Sequence, residues 1–186
     1  MQPVEGTHEV GGNWLSAQDY YDRMDNFRRT TFRFQALQVY GIPHEQPSFQ
    51  EFLKTGKREV DPNDPRLVRM KAKRTRGRTT QRVQVVRHPI SDYLRHAFGF
   101  FHESARQGED LRILDASKTA IDQLPEFDFQ LLDDETVIKL HYADEDGSVV
   151  GREVLPDADI AEYRRYRDYA LEHSVPFLEY ERSMPA

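Results

Sequence analysis

Three strand-like runs follow one another late in the chain, and only short acidic turns separate them. Residues 127–132, 136–142 and 149–154 are rich in aliphatic and aromatic side chains. The connecting residues 133–135 are all Asp or Glu, and 144–147 add a closing Gly, a composition typical of tight turns. Because such short connections join strands of opposite direction, this part of the chain predicts an antiparallel meander.

The earlier strand patterns alternate with helical ones. Apolar and polar residues alternate over 30–40 and 82–87, and 111–114 is a short apolar run. Amphipathic segments with Ser or Asp at their starts predict helices over 16–27, 48–56, 65–76, 91–107 and 157–175. We therefore expect one α/β (α+β) domain over residues 14–186. Its sheet is mainly antiparallel or mixed and is covered by four or five helices, and residues 1–13 form a flexible arm.

The composition excludes several classes of protein. The chain has no Cys, so disulfides, thiol catalysis and Cys-ligated zinc are ruled out. The sequence begins without a basic segment followed by an apolar one, and no apolar run approaches ~18 residues. We expect a cytoplasmic protein without membrane contact. A formal net charge of −6 argues against general nucleic-acid binding.

Charge is sorted by position along the chain. Between Arg66 and Arg87 there are nine Lys or Arg and no acid, whereas Asp115 to Glu162 contains fourteen Asp or Glu against three Lys or Arg. Two interpretations stay open. Either the basic segment meets an anionic partner, or the two segments neutralise each other when the chain folds.

The basic segment predicts phosphate contact better than base recognition. It has no aromatic residue between Phe52 and Tyr93, so stacking on bases is not supported. The patch extends to a predicted helix start where Ser91 and Asp92 either act as simple caps or help form an anion or partner site. The candidate binding residues are Arg69, Lys73, Arg74, Arg76, Arg78, Arg82, Arg87, Asp92, Tyr93 and Arg95.

No residue pattern commits the chain to a reaction. A Gly-x-Ser-x-Gly nucleophile motif and a phosphate-binding glycine loop are both missing from the sequence. His96 and His102 share a predicted helix but stand six residues apart, which places them on different faces and disfavours a shared metal. We predict no catalytic residue, no metal and no cofactor.

Several segments together resemble a known family. They are Gly-Arg-Thr-Thr-Gln-Arg-Val-Gln-Val-Val from residue 77, Pro-Ile-Ser-Asp-Tyr-Leu-Arg from 89, Gly-Glu-Asp-Leu-Arg-Ile-Leu from 108, Asp-Phe-Gln-Leu-Leu-Asp-Asp from 128, Tyr-Arg-Arg-Tyr-Arg-Asp-Tyr-Ala from 163 and Val-Pro-Phe from 175. Over residues 27–180 the chain resembles an actinobacterial domain-of-unknown-function family. Its members are often encoded beside helix-turn-helix regulators and small acidic proteins, so the resemblance implies a regulatory role and no particular reaction.

A second resemblance covers residues 108–154, which look like a degenerate half of a phospholipase D-type domain. That superfamily requires His-x-Lys-x-x-x-x-Asp, with a nucleophilic His and a phosphate-binding Lys. Here His141 is followed by Ala143 at the Lys position and Ser148 at the Asp position. The departure removes the groups on which phosphodiesterase activity depends, so the resemblance implies at most the fold.

These observations favour a non-enzymatic regulatory or interaction protein whose cationic patch binds an anionic partner. The expected partner is an acidic protein or a phosphate-bearing ligand, with nucleic acid ranked behind them. One alternative is a phosphate- or nucleotide-handling enzyme that uses the arginines with Asp92 or Asp128. The other is a DNA-contacting accessory of a helix-turn-helix regulator.

Overall fold

Residues 12–184 are described by a computed structural model, so residues 1–11 of the predicted arm lie outside it. The helices are α1 (Ala17–Asn26), α2 (Gln46–Thr55), α3 (Pro65–Thr75), α4 (Asp92–Gln107), α5 (Ile160–Glu172) and α6 (Phe177–Ser183). The strands are β1 (Thr30–Gln35), β2 (Thr79–Val86), β3 (Asp110–Asp115), β4 (Phe129–Leu132), β5 (Thr136–Tyr142), β6 (Val149–Val154) and β7 (Val175–Pro176). The predicted α/β domain with a mixed sheet is confirmed.

The strands form one sheet in the order β6-β5-β4-β1-β2-β3-β7. The predicted meander is present, because β4, β5 and β6 pair antiparallel in sequence. In the other half, β1, β2 and β3 are parallel neighbours. Parallel neighbours need crossover connections, and α3 and α4 lie in these connections. Successive right-handed crossovers in one direction place both helices on the same face of the sheet.

The two faces of the sheet are packed differently. On one face, α5 covers an apolar layer that includes Phe34, Val83 and Phe129, and the ring of Tyr163 packs against Phe129. On the other face, α3, α4 and α6 share an apolar cluster at the β3 side, and α1 packs over the meander. The middle of this second face is polar, since alternate residues of β1 and β2 point toward it.

Helix starts largely follow the predicted caps. The side chains of Ser16, Asp64 and Ser91 each accept a backbone N–H in the first turn of α1, α3 and α4. The prediction at Ser48 is wrong, because α2 begins at Gln46 after a short 3-10 helix.

The last part of the chain also differs from the prediction. Asp159 rather than Asp157 caps α5, and α6 was missed because it is short and directly follows Pro176. Within residues 12–184, every helix is too short or too polar to traverse a lipid bilayer.

Candidate functional site

A cavity of about 490 Å³, lined by both polar and apolar side chains, lies between the middle of the sheet and helices α1, α3 and α4. Its floor is set by the parallel register of β1 and β2. Thr31 pairs with Thr80, Arg33 with Arg82, and Gln35 with Gln84. Alternation in a strand puts these three pairs on one side, and Phe32, Phe34, Val83 and Val85 on the other. The polar side of the strands therefore faces a half-open cavity beneath the helices.

The two arginines of the floor have different partners. Arg82 donates from Nε to the buried Glu109 at 2.9 Å, and Ser104 donates to the same carboxylate. Arg33 forms no ion pair with any carboxylate of residues 12–184, and its buried Nε has no hydrogen-bond partner. The floor thus carries one guanidinium that is paired with a carboxylate and one that has no ion pair among residues 12–184.

Arg33 stays charged in this setting. Burial alone would lower its pKa, but the oxygens of Tyr142, Tyr20 and Asp128 around it raise the pKa above the usual value. The guanidinium is therefore a permanent donor at the centre of the floor.

Next to Arg33, the buried Asp128 holds the ends of two tyrosines. Tyr40 and Tyr142 donate to its Oδ2 at 2.9 and 3.0 Å, and the backbone N–H of Ala36 donates to Oδ1 at 2.7 Å. Burial raises the pKa of Asp128, and the charge of Arg33 opposes that rise. Asp128 positions the tyrosine rings and does not itself line the cavity.

A second buried network closes the end of the cavity near α2. Glu45 accepts from Arg66 at 2.8 Å, from Arg58 at 3.4 Å and from the hydroxyl of Tyr93 at 2.9 Å. Burial would raise the pKa of Glu45, but the hydrogen bond from Arg66 and the charge of Arg58 lower it. Arg66 also pairs with Asp64, so Glu45 and Asp64 together balance the charges of Arg58 and Arg66.

The cavity as a whole is cationic. Among the described residues that line it, seven are Lys or Arg and three are Asp or Glu. Helix α3 supplies the exposed Arg69 and also Lys73, whose Nζ lies 3.0 Å from Asp25 of α1. The chemistry that this arrangement favours is the binding of an anion.

The family of this chain follows from its sequence. A family model described as domain of unknown function (DUF6879) matches residues 18–182, nearly the whole chain. The chain belongs to the DUF6879 family. No curated protein sequence matches it.

The predicted binding residues of this DUF6879 domain fall into separate groups. Four line the cavity: Arg69, Lys73, Arg82 and Tyr93.

Three more lie at the end of α3, outside the cavity. Arg74 packs over Gly108, Arg76 is exposed, and Arg78 donates to the backbone oxygen of Asp25 at 2.7 Å.

The last three lie at the opposite edge. Arg87 donates to the oxygen of Ala36 at 2.9 Å, Arg95 donates to that of Ile90 at 3.3 Å, and Asp92 is an exposed residue in the first turn of α4. The structure does not bring Arg87, Asp92 and Arg95 together with the cavity residues.

The acidic turn after β4 does not neutralise the basic segment. Asp133 accepts the backbone N–H groups of Arg28, Arg29 and Thr30, and Asp134 pairs with Arg167. Carboxylates elsewhere pair with three members of the basic segment: Arg66, Lys73 and Arg82.

Sequence reasoning missed the residues at the centre of the cavity: Arg33, Gln35, Glu45, Arg58 and Gln84. The available signal was the Thr-x-Arg-x-Gln series, which occurs in both β1 and β2. Its meaning depends on the register between two strands that are distant in sequence.

Two histidines have structural surroundings. His96 is fully buried against Ser48 and Arg58, and burial lowers its pKa to about 4, so the ring is neutral. His141, at the position of the phospholipase D-type histidine, contacts Glu153 at 2.9 Å and packs on Trp14.

Proposed function

We propose that this protein binds a small anionic ligand, phosphate-bearing in the simplest case, in the cavity above β1 and β2. Its role is that of a regulatory or interaction protein in which the bound ligand is the signal. The observation that carries the proposal is Arg33, a central guanidinium without a carboxylate partner among residues 12–184.

The register of the sheet strengthens this argument. Like charges at directly paired positions of neighbouring strands destabilise a sheet. Arg33 and Arg82 are such a pair, and Glu109 compensates only Arg82. An anion between the two guanidinium groups would satisfy Arg33 and remove the repulsion. Arginine is suited to this task because its planar fork binds phosphate or carboxylate through two hydrogen bonds.

The geometry supports binding better than the enzymatic alternative. That alternative needs a carboxylate placed to react inside the cavity. Asp92 lies on the exposed side of α4, and Asp128 is occupied by Tyr40, Tyr142 and the N–H of Ala36. Neither carboxylate is positioned toward a ligand on Arg33.

The proposal is tested by the effect of inorganic phosphate on the free energy of unfolding. At about 100 times its dissociation constant, a ligand stabilises the native state by about 2.7 kcal/mol. We expect the wild-type protein to show this gain and Arg33→Gln to lose it. Arg95→Gln is the control, because Arg95 is exposed and outside the cavity. Equal stabilisation of both variants would contradict the proposal.

A second candidate function concerns the outer surface of α3. Lys71, Arg74 and Arg76 are exposed there and pair with no carboxylate in the described part of the chain. This surface would suit an acidic protein or, as the lesser alternative, a nucleic-acid backbone. Both fit the regulatory setting that the family resemblance implies. The likeness to a phospholipase D-type half-domain adds no reaction to either function.

A further inference from the structure

The floor of the cavity contains buried hydrogen-bond acceptors that lack donors. Nε2 of Gln84 donates to the backbone oxygens of Leu37 and Val85 at 2.8 Å each, which fixes the orientation of the amide. Its Oε1 then faces away from them and has no partner within residues 12–184. Gln84 is completely buried and lines the cavity.

Gln35 repeats this feature at the paired position of β1. Its side chain is 5% exposed, and its Oε1 is also without a partner in the described structure. Buried acceptors are nearly always satisfied in native proteins. Two unsatisfied oxygens on residues that pair across β1 and β2 therefore point to a ligand group with two N–H donors.

The acceptors and the free cation occupy different places on the floor. Two residues along a strand separate Gln35 from Arg33, which corresponds to roughly 6–7 Å. Lys73 and Arg69 extend the positive charge along α3. The ligand therefore carries its N–H donors and its anionic group at separate positions of one molecule.

Three tyrosine rings, those of Tyr40, Tyr93 and Tyr142, line the same cavity. The rings of Tyr40 and Tyr93 lie 5.9 Å apart, and those of Tyr40 and Tyr142 lie 5.4 Å apart. Asp128 and Glu45 fix the hydroxyl groups of all three. Rigid aromatic walls favour a flat ring over a flexible aliphatic amine.

We propose that the ligand is a nucleoside phosphate whose base carries an exocyclic amine. The two N–H groups of the amine donate to Gln35 and Gln84, and Arg33 and Arg82 bind the phosphate. This inference rests on the proposed anion site and specifies its ligand. The cavity volume of about 490 Å³ falls in the range usual for small-molecule sites.

The experiment compares probes that differ at the amine and at the adjacent ring nitrogen, which becomes an N–H donor when a carbonyl replaces the amine. Binding of adenosine monophosphate, inosine monophosphate and inorganic phosphate to the full chain is measured by calorimetry. In the inosine compound a carbonyl oxygen replaces the amine and would face the two glutamine oxygens. We expect the adenosine compound to bind about 10- to 100-fold more tightly than the inosine compound. Cytidine and uridine monophosphates provide the same contrast on a smaller base.

A variant of Gln35 then tests whether the cavity floor causes the preference for the amine-bearing nucleotide. Gln35→Met removes the acceptor at nearly constant volume, and the side chain of Gln35 makes no hydrogen bond in the described structure that this change would break. We expect the preference for the amine to fall to less than about threefold while phosphate binding is kept. Gln123→Met is the control, because Gln123 is exposed and away from the cavity.

The outcomes separate this inference from the function on which it rests. Equal affinity for amine and carbonyl nucleotides overturns the inference and leaves the anion site intact, as does binding of phosphate without any nucleotide. Failure of every anionic probe, inorganic phosphate included, overturns the anion site itself. The paired-probe comparison uses the wild-type chain, so it decides the matter even where Gln35→Met fails to fold.

Discussion

At the scale of single residues, the buried carboxylates of this protein divide into two kinds. Some accept enough hydrogen bonds to outweigh the free-energy cost of burying their charge, so their ionised form stabilises the fold. Asp133 is of this kind, and Asp128 is of the opposite kind. The direction of each pKa shift therefore predicts how stability changes with pH.

Asp133 connects the turn after β4 to the start of β1. Its carboxylate accepts the N–H groups of Arg28, Arg29 and Thr30 at 2.8, 2.6 and 3.0 Å. Its backbone has φ of 52°, a left-handed conformation that Asp tolerates better than Ala does. We expect Asp133→Ala to lower the free energy of unfolding by about 2–4 kcal/mol, measured by denaturant titration.

The comparison variant is Asp134→Ala, which shares the left-handed backbone with φ of 59° but removes the pairing with Arg167 instead of the three N–H contacts. A loss in Asp133→Ala no greater than that in Asp134→Ala would contradict a stabilising role for the three N–H contacts. Burial would raise the pKa of Asp133, but the three N–H donors lower it below 3.8. The stabilisation is therefore present above that pH and is lost as the pH falls through the lowered pKa.

Asp128 gives the opposite pH dependence. Burial raises its pKa above the ordinary 3.8 despite the charge of Arg33. Its contribution is most favourable in acid and is lost as the pH rises through the raised pKa. We expect Asp128→Asn to gain stability relative to wild type as the pH rises from the ordinary pKa of the carboxyl through its raised value. Thermal unfolding of both proteins across this range measures it, and a constant difference would contradict the assignment.

At the scale of the secondary-structure elements, the ends of α3 and α4 contribute to the stability of the fold. Gly77 and Gly108 follow α3 and α4 with φ of 73° and 103°. They differ in surroundings, because a Cβ on Gly108 would overlap the guanidinium of Arg74, whereas Gly77 has open space around it. Arg74 thus packs on the end of α4, in the space that a side chain at position 108 would occupy.

The two glycines form a matched test of this contact. We expect Gly77→Ala to cost about 1–2 kcal/mol from the left-handed backbone alone. Gly108→Ala also displaces Arg74, so we expect its loss of unfolding free energy to exceed that of Gly77→Ala by about 1 kcal/mol. Chemical denaturation of the two variants gives the difference. Equal losses would show that Arg74 moves aside without cost.

The same scale explains what the sequence could predict. The meander of β4, β5 and β6 was predictable because each turn is a few residues long and rich in Asp. The strand character of β1 and β2 followed from alternation. Their parallel pairing did not, because the register that sets Arg33 against Arg82 joins positions 49 residues apart. Alternation also does not reveal whether a polar face meets solvent or a cavity beneath helices.

At the scale of the whole molecule, the separation of charge along the chain is only partly reflected in space. Sequence reasoning identified four cavity residues: the basic segment supplied Arg69, Lys73 and Arg82, and the predicted start of α4 supplied Tyr93. It could not find the Glu45 network, because Glu45, Arg58 and Arg66 come together only when the segment before α2 folds against α3 and α4.

The outer face of α3 makes a prediction at this scale. If it binds an anionic macromolecule through Lys71, Arg74 and Arg76, affinity for a polyanion such as heparin falls steeply as salt rises. We expect the triple change of these residues to Gln to flatten the dependence of log affinity on log salt by about 2–3. Arg33→Gln leaves this slope unchanged, because Arg33 lies inside the cavity. A slope unaffected by the triple change would exclude this surface.

The matching Thr-x-Arg-x-Gln series of β1 and β2 has a consequence for how the proposed ligand preference would change. Loss of one residue within either strand would rotate its valines or phenylalanines into the cavity and abolish recognition at once. Replacement of both Gln35 and Gln84, by contrast, would change the part of the cavity floor that holds the two acceptors and would leave the backbone pairing of the strands intact. Related proteins with different preferences should therefore differ at these two positions together, as one exchangeable unit.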